Sequence, residues 1–113
     1  MNNCNYLLKD VLPDLAQEIK QKFLKYNRID LYEQVDEVKI VSLCDCDEND
    51  CGSFFTVNPP SEEEDYKVEG FVIANGKVAV EVYDGIIGYV EIFPSPYGRE
   101  IRVKLSEALG KPI

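Results

Sequence analysis

Two dipeptides limit what this chain can fold into. Three β-rich runs, 66–73, 77–83 and 86–93, are separated by Asn75-Gly76 and Asp84-Gly85. Both dipeptides suit the positive φ angles of tight hairpin turns, which Gly adopts freely. The runs therefore read as an antiparallel meander. In the middle run Val78, Val80 and Val82 point one way, and Lys77, Glu81 and Tyr83 point the other. One face of the sheet is buried and the other is wet.

Upstream, apolar residues recur at 8, 11, 12, 15, 16, 19 and 23. That stripe has helical spacing and faces a core. Pro13 is accepted only at a first helical position, so the main helix starts near Pro13, with a separate short turn before it. Asp14 and Glu18 lie early in the helix, and Lys20, Lys22 and Lys25 lie late, as the helix dipole prefers. The helix ends near Tyr26, with Asn27 as its stop, and 30–35 can add one further turn. Short β-rich runs at 38–43 and 54–57 add two strands, the second ended by Pro59-Pro60. At the C-terminus Ile101, Val103 and Leu105 alternate like a strand, whereas Tyr97, Ile101, Leu105, Ala108 and Leu109 space like a helix. Gly110 and Pro112 are helix-stop signals and decide for the helix.

The expected class is α+β, in one domain over 1–113. An N-terminal amphipathic helix packs on an antiparallel sheet of about five strands, the last three form the meander, and a helix closes the chain. A length of 113 residues suits one core and is too short for two.

The net charge is −9, and its placement is uneven. Residues 29–65 hold twelve Asp/Glu and one Lys, while the flanking segments nearly balance. Such a surface repels phosphate backbones, which argues against a nucleic-acid partner. It attracts a basic protein and speeds the encounter. Solubility alone also accounts for acidity. The chain has no His, which removes every mechanism and metal site that needs imidazole. Apolar runs stop at four or five residues, too short to span a bilayer. The start Met1-Asn2-Asn3-Cys4-Asn5 lacks the marks of a signal peptide, so the expected compartment is the cytoplasm.

One constellation invites a chemical reading. Cys44, Cys46 and Cys51 fall within eight residues, around Asp45, Asp47, Glu48, Asn49 and Asp50. An EF-hand loop starting at Asp45 would need Gly at its sixth position and a bidentate acid at its twelfth, where Asp50 and Thr56 stand. A zinc site would use the three thiols with Cys4 or an Asp as the fourth ligand, but doubled C-x2-C pairs are missing. A redox thiol is disfavoured by the surrounding carboxylates, which oppose a thiolate. The fourth reading is a hairpin with small Cys side chains packed at its base and an acidic turn in water.

On the same residues the chain resembles an uncharacterised family of small bacterial proteins. Its members join an amphipathic N-terminal helix to a Cys-x-Cys, acidic turn, Cys-x-x-Phe segment and end in a strand–Asp-Gly–strand hairpin. The matching residues are Cys44, Cys46, Cys51, Phe54 and Asp84-Gly85. The resemblance implies the fold and no activity.

Three functions follow, in order. The first is a non-enzymatic acidic binding protein for a basic protein partner, similar in type to immunity proteins or small adaptors. Its candidate partner-binding residues are Asp45, Asp47, Glu48, Asp50, Glu62, Glu63, Glu64 and Asp65. The second is a small metal-binding protein, with zinc on Cys44, Cys46 and Cys51. The third is an enzyme whose catalytic residues the sequence does not mark. No cofactor is expected under the first reading.

Overall fold

Pro13 takes the first position of the main helix, α2 (Pro13–Lys25), where its missing N–H costs nothing. The helix stops at Asn27, which sits in the left-handed region at φ 63°. There the Asn27 N–H donates to the Leu24 carbonyl and the Arg28 N–H to the Phe23 carbonyl, the paired bonds of a Schellman cap. The computed structural model describes residues 6–43, 51–57, 67–73, 76–93 and 95–110.

Before α2 come β1 (Tyr6–Leu7) and a single turn, α1 (Leu8–Val11). After it come α3 (Ile29–Gln34) and a 3-10 turn over Val35–Glu37. The region 38–43 then splits into β2 (Lys39–Ile40) and β3 (Ser42–Leu43). β2 pairs antiparallel with β1 as a separate two-stranded sheet, which the sequence reading did not anticipate. β4 (Phe54–Phe55), β5 (Val68–Ile73), β6 (Val78–Tyr83), β7 (Ile86–Ile92) and α4 (Pro96–Leu109) complete the fold.

The main sheet has five antiparallel strands in the order β3-β4-β7-β6-β5. The expected meander is its larger part. Asp84 (φ 51°) and Gly85 (φ 83°) form a two-residue hairpin loop between the paired Tyr83 and Ile86. At the other hairpin Gly76 also has positive φ, 86°, and Ile73 pairs with Val78. Asn75 lies outside the described residues.

Alternation decides which side chains enter the core. Val78, Val80 and Val82 are fully buried, with Ile87, Val90 and Ile92 beside them on β7 and Phe54 on β4. α2 sets Leu15, Ala16, Ile19 and Phe23 against them, α4 adds Ile101 and Leu105, and all belong to one continuous cluster. Burying a side chain of the size of Leu, Ile or Phe contributes about 1.5–3 kcal/mol. Phe23 meets Phe71 edge to face at 5.1 Å, which fastens the end of α2 to β5. α4 begins with Ser95, whose hydroxyl accepts from the Gly98 N–H at 3.0 Å, and ends on Gly110 at φ 68°.

β4 is only two residues long, and hydroxyls extend its grip on β7. The buried Ser53 Oγ accepts from the Ile92 N–H (2.8 Å) and donates to the Ile92 carbonyl (3.3 Å). The buried Thr56 Oγ1 donates to the Ile87 carbonyl (2.8 Å), and its N–H to the Gly88 carbonyl (3.0 Å). No helix among the described residues is long and apolar enough to cross a membrane.

Candidate interaction surface

The helices bury their apolar stripes against one face of the main sheet. The opposite face is built from the alternate strand positions. Ser42 pairs with Phe55, Phe55 with Tyr89, Tyr89 with Glu81, and Glu81 with Gly70, so these five residues form one row across the sheet. Val72, Ala79 and Glu91 form a second row, and Val68, Tyr83 and Ile86 a third. Phe55 and Tyr89 stack with ring centroids 4.5 Å apart. Val68, Val72 and Ile86 are each about half exposed. The strand positions of this face carry two carboxylates, Glu81 and Glu91, and no Lys or Arg; Lys77, one residue before β6, sets its ammonium 5.8 Å from the Tyr97 ring of α4.

A bulge shapes the middle of the face. The β6–β7 register shifts between Glu81 and Val82, which leaves Gly88 without a direct partner on β6. The Tyr83 ring lies over that gap, and its hydroxyl donates to Glu81 Oε1 at 2.7 Å. Tyr83 is thereby fixed beside a carboxylate.

Ion pairs stabilise the helical side. Arg28 donates to Glu69 on β5 (2.6 and 3.3 Å) and to Asp30 at the start of α3 (3.1 and 3.0 Å). These hydrogen bonds hold Glu69 and Asp30 below the usual carboxylate range and raise Arg28 further. Gln34 on α3 clamps the β6–β7 turn, donating to the Gly85 carbonyl (2.7 Å) and accepting from the Ile87 N–H (3.1 Å).

Two cavities lie near these elements. One of about 300 Å³ is lined by Gln34, Glu37, Val38, Lys39, Thr56, Val57, Ile86 and Ile87. The other, about 250 Å³, lies between α2 and α4 and is lined by Asp14, Glu18, Glu100, Lys104, Tyr97 and apolar neighbours. Burial, helped by Glu18, Glu100 and Asp14, raises the Tyr97 phenol above its ordinary range. Lys104 pairs with Glu100 at 3.5 Å at the rim.

Of the candidate partner-binding and metal-ligating residues named from the sequence, only Cys51 is described. It is buried, and its carbonyl accepts from the Arg102 guanidinium at 3.1 Å. Cys44 and Cys46 lie outside the described residues, as do Asp45, Asp47, Glu48, Asp50, Glu62, Glu63, Glu64 and Asp65. Among the described residues no group of three His, Cys, Asp or Glu is placed to hold a metal ion. For Tyr83 and Tyr89 the sequence leaves an interaction surface and half-buried strand positions equally open; pairing places them with Phe55, Glu81 and Glu91 on one surface. Alternation alone marks those positions as outward, but strand order is needed to bring them together.

No protein-family model, no curated protein and no solved structure matches this chain.

Proposed function

We propose that this protein is a non-enzymatic acidic binding protein, and that it takes a basic protein partner on the open face of its sheet. One observation carries the reading. Phe55, Tyr83 and Tyr89 share that face with Glu81 and Glu91, and no cation stands among its strand positions. Aromatic residues are enriched and Lys is depleted where proteins meet. Rings beside carboxylates suit Arg, which stacks on a ring and bonds a carboxylate with the same planar group. The net charge of −9 steers a basic partner inward. Asp45, Asp47, Glu48, Asp50, Glu62, Glu63, Glu64 and Asp65 serve as the steering charges, and the contact itself is aromatic. The setting is the cytoplasm, in the manner of an immunity protein or a small adaptor.

An NMR titration with an arginine-rich peptide, against an acidic peptide of equal length, tests this. The basic peptide should shift Phe55, Tyr83, Tyr89, Glu81 and Glu91 and release them as salt rises. Glu81→Lys with Glu91→Lys should abolish the shifts. Glu62→Gln, Glu63→Gln and Glu64→Gln together should slow association and flatten its salt dependence, leaving stability nearly unchanged. Equal shifts with both peptides, or shifts confined to another surface, overturn the reading.

A further inference from the structure

We propose that β5 is a self-pairing edge, joining β5 of a second copy antiparallel about a two-fold axis at Gly70. The proposal concerns the backbone edge of β5, whose residues Val68, Gly70 and Val72 also border the open face.

β5 ends the sheet, and among the described residues no strand pairs with its side away from β6. Its hydrogen-bond parity is fixed. The Asp84 N–H donates to the Lys67 carbonyl at 2.8 Å, and residues 67 and 84 continue the register in which Val68 opposes Tyr83. Bonded pairs alternate along an antiparallel ladder, so Glu69, Phe71 and Ile73 bond β6. The backbone groups of Val68, Gly70 and Val72 therefore point away from β6, to the side that no described strand pairs.

The side chains repeat the same symmetry. A two-fold axis at Gly70 sets Val68 opposite Val72 of the second copy, and Gly70 opposite Gly70. It brings all three outward residues into bonded pairs at once, which gives six hydrogen bonds. Val68 and Val72 are 52% and 54% exposed, and this register makes them apolar cross-strand pairs. Glu69 would face Phe71 of the second copy, where Arg28 already bonds Glu69 and lies 5.8 Å from the Phe71 ring.

Gly70 supplies an independent observation. A Cβ there would meet no atom within 4 Å, and Gly70 is not among the positive-φ glycines. The described residues give no reason for a glycine at this position. Glycine inside a strand often marks the close approach of another backbone. β5 also lacks the Lys or Pro that commonly blunts a sheet edge, and Glu69, its one charged residue, is engaged by Arg28.

Sedimentation analysis of the full chain from micromolar to millimolar concentration tests the proposal. A concentration-dependent dimer is expected. Each copy carries −9, so salt should strengthen the dimer, whereas it weakens binding of a basic peptide. That opposite response keeps failure of this proposal separate from failure of the binding reading. Gly70→Pro removes an edge-directed N–H without touching the β6 pairing, and should abolish the dimer with melting retained. Val72→Glu, at an exposed position, should raise the dimer Kd about tenfold or more and decides the matter if the proline variant fails to fold. Val68→Lys combined with Val72→Glu sets opposite charges across the axis and should restore the dimer. A chain that stays monomeric at every concentration overturns the proposal, as does a dimer indifferent to both single variants. Exchange protection of the Gly70 amide in the monomer also overturns it, because the edge would then be covered by the chain itself.

Discussion

The ring of Tyr83 occupies the space that a side chain on Gly88 would need. A Cβ on Gly88 would stand 2.2 Å from Tyr83 Cδ2 and 2.5 Å from Cε2. Glycine is required here by a neighbour, and the two residues act as one unit on the open face.

Gly88→Ala should therefore destabilise the protein by about 1–3 kcal/mol, the usual range for a forced overpacking. Chemical denaturation measures it. Adding Tyr83→Ala removes the obstacle, so the double variant should lose less than the two single losses combined. Strict additivity would refute the coupling.

Gln34 ties α3 to the β6–β7 turn with one donated and one accepted bond. Gln34→Ala leaves the Gly85 carbonyl and the Ile87 N–H without those partners and should cost about 1–3 kcal/mol. Gln34→Glu keeps the shape but turns a carboxylate oxygen toward the Gly85 carbonyl. Its neutral form can donate there, so the folded pKa of the new carboxyl lies above its unfolded value. The variant should gain stability relative to wild type as pH falls through that value. A difference that does not change with pH would show that the Gly85 bond is unimportant.

Arg28 lowers the folded-state pKa of both Glu69 and Asp30, whose ordinary values are 4.5 and 3.8. Their contribution is complete above those values and is lost as pH falls through the lower folded ones. Wild type should thus lose stability faster in acid than Glu69→Gln with Asp30→Asn. Urea midpoints measured across the acid range report this directly. Parallel curves would mean that the ion pairs do not differ between folded and unfolded states.

The meander was readable because each of its signals is local. Asp84-Gly85 needs only its own dihedrals, and Val78, Val80 and Val82 need only a period of two. Pro13, Asn27 and Gly110 mark helix ends by chemistry confined to a few residues. What escaped the sequence depends on distant partners. β1 and β2 are two residues each and carry no period. β4 runs over Phe54–Phe55 only, and its hold on β7 relies on Ser53 and Thr56, whose partners lie 39 and 31 residues away. Arg28 and Glu69 are 41 residues apart. The candidate surface was hidden for a related reason. Phe55 joins Tyr89 only because β4 lies beside β7, an order that no neighbouring residues dictate.

The brevity of β4 divides the sheet into unequal cooperative units. β5, β6 and β7 share long continuous ladders, whereas β3 and β4 join them through two residue pairs and a few hydroxyl and amide bonds. Free energy for opening is lowest where the fewest bonds must break together. The seam between β4 and β7 therefore opens at lower cost than the β6–β7 ladder, and its opening releases Phe55 from Tyr89 while the meander stays closed. Whatever docks across both sides of that seam adds its own binding energy to a join of two residue pairs.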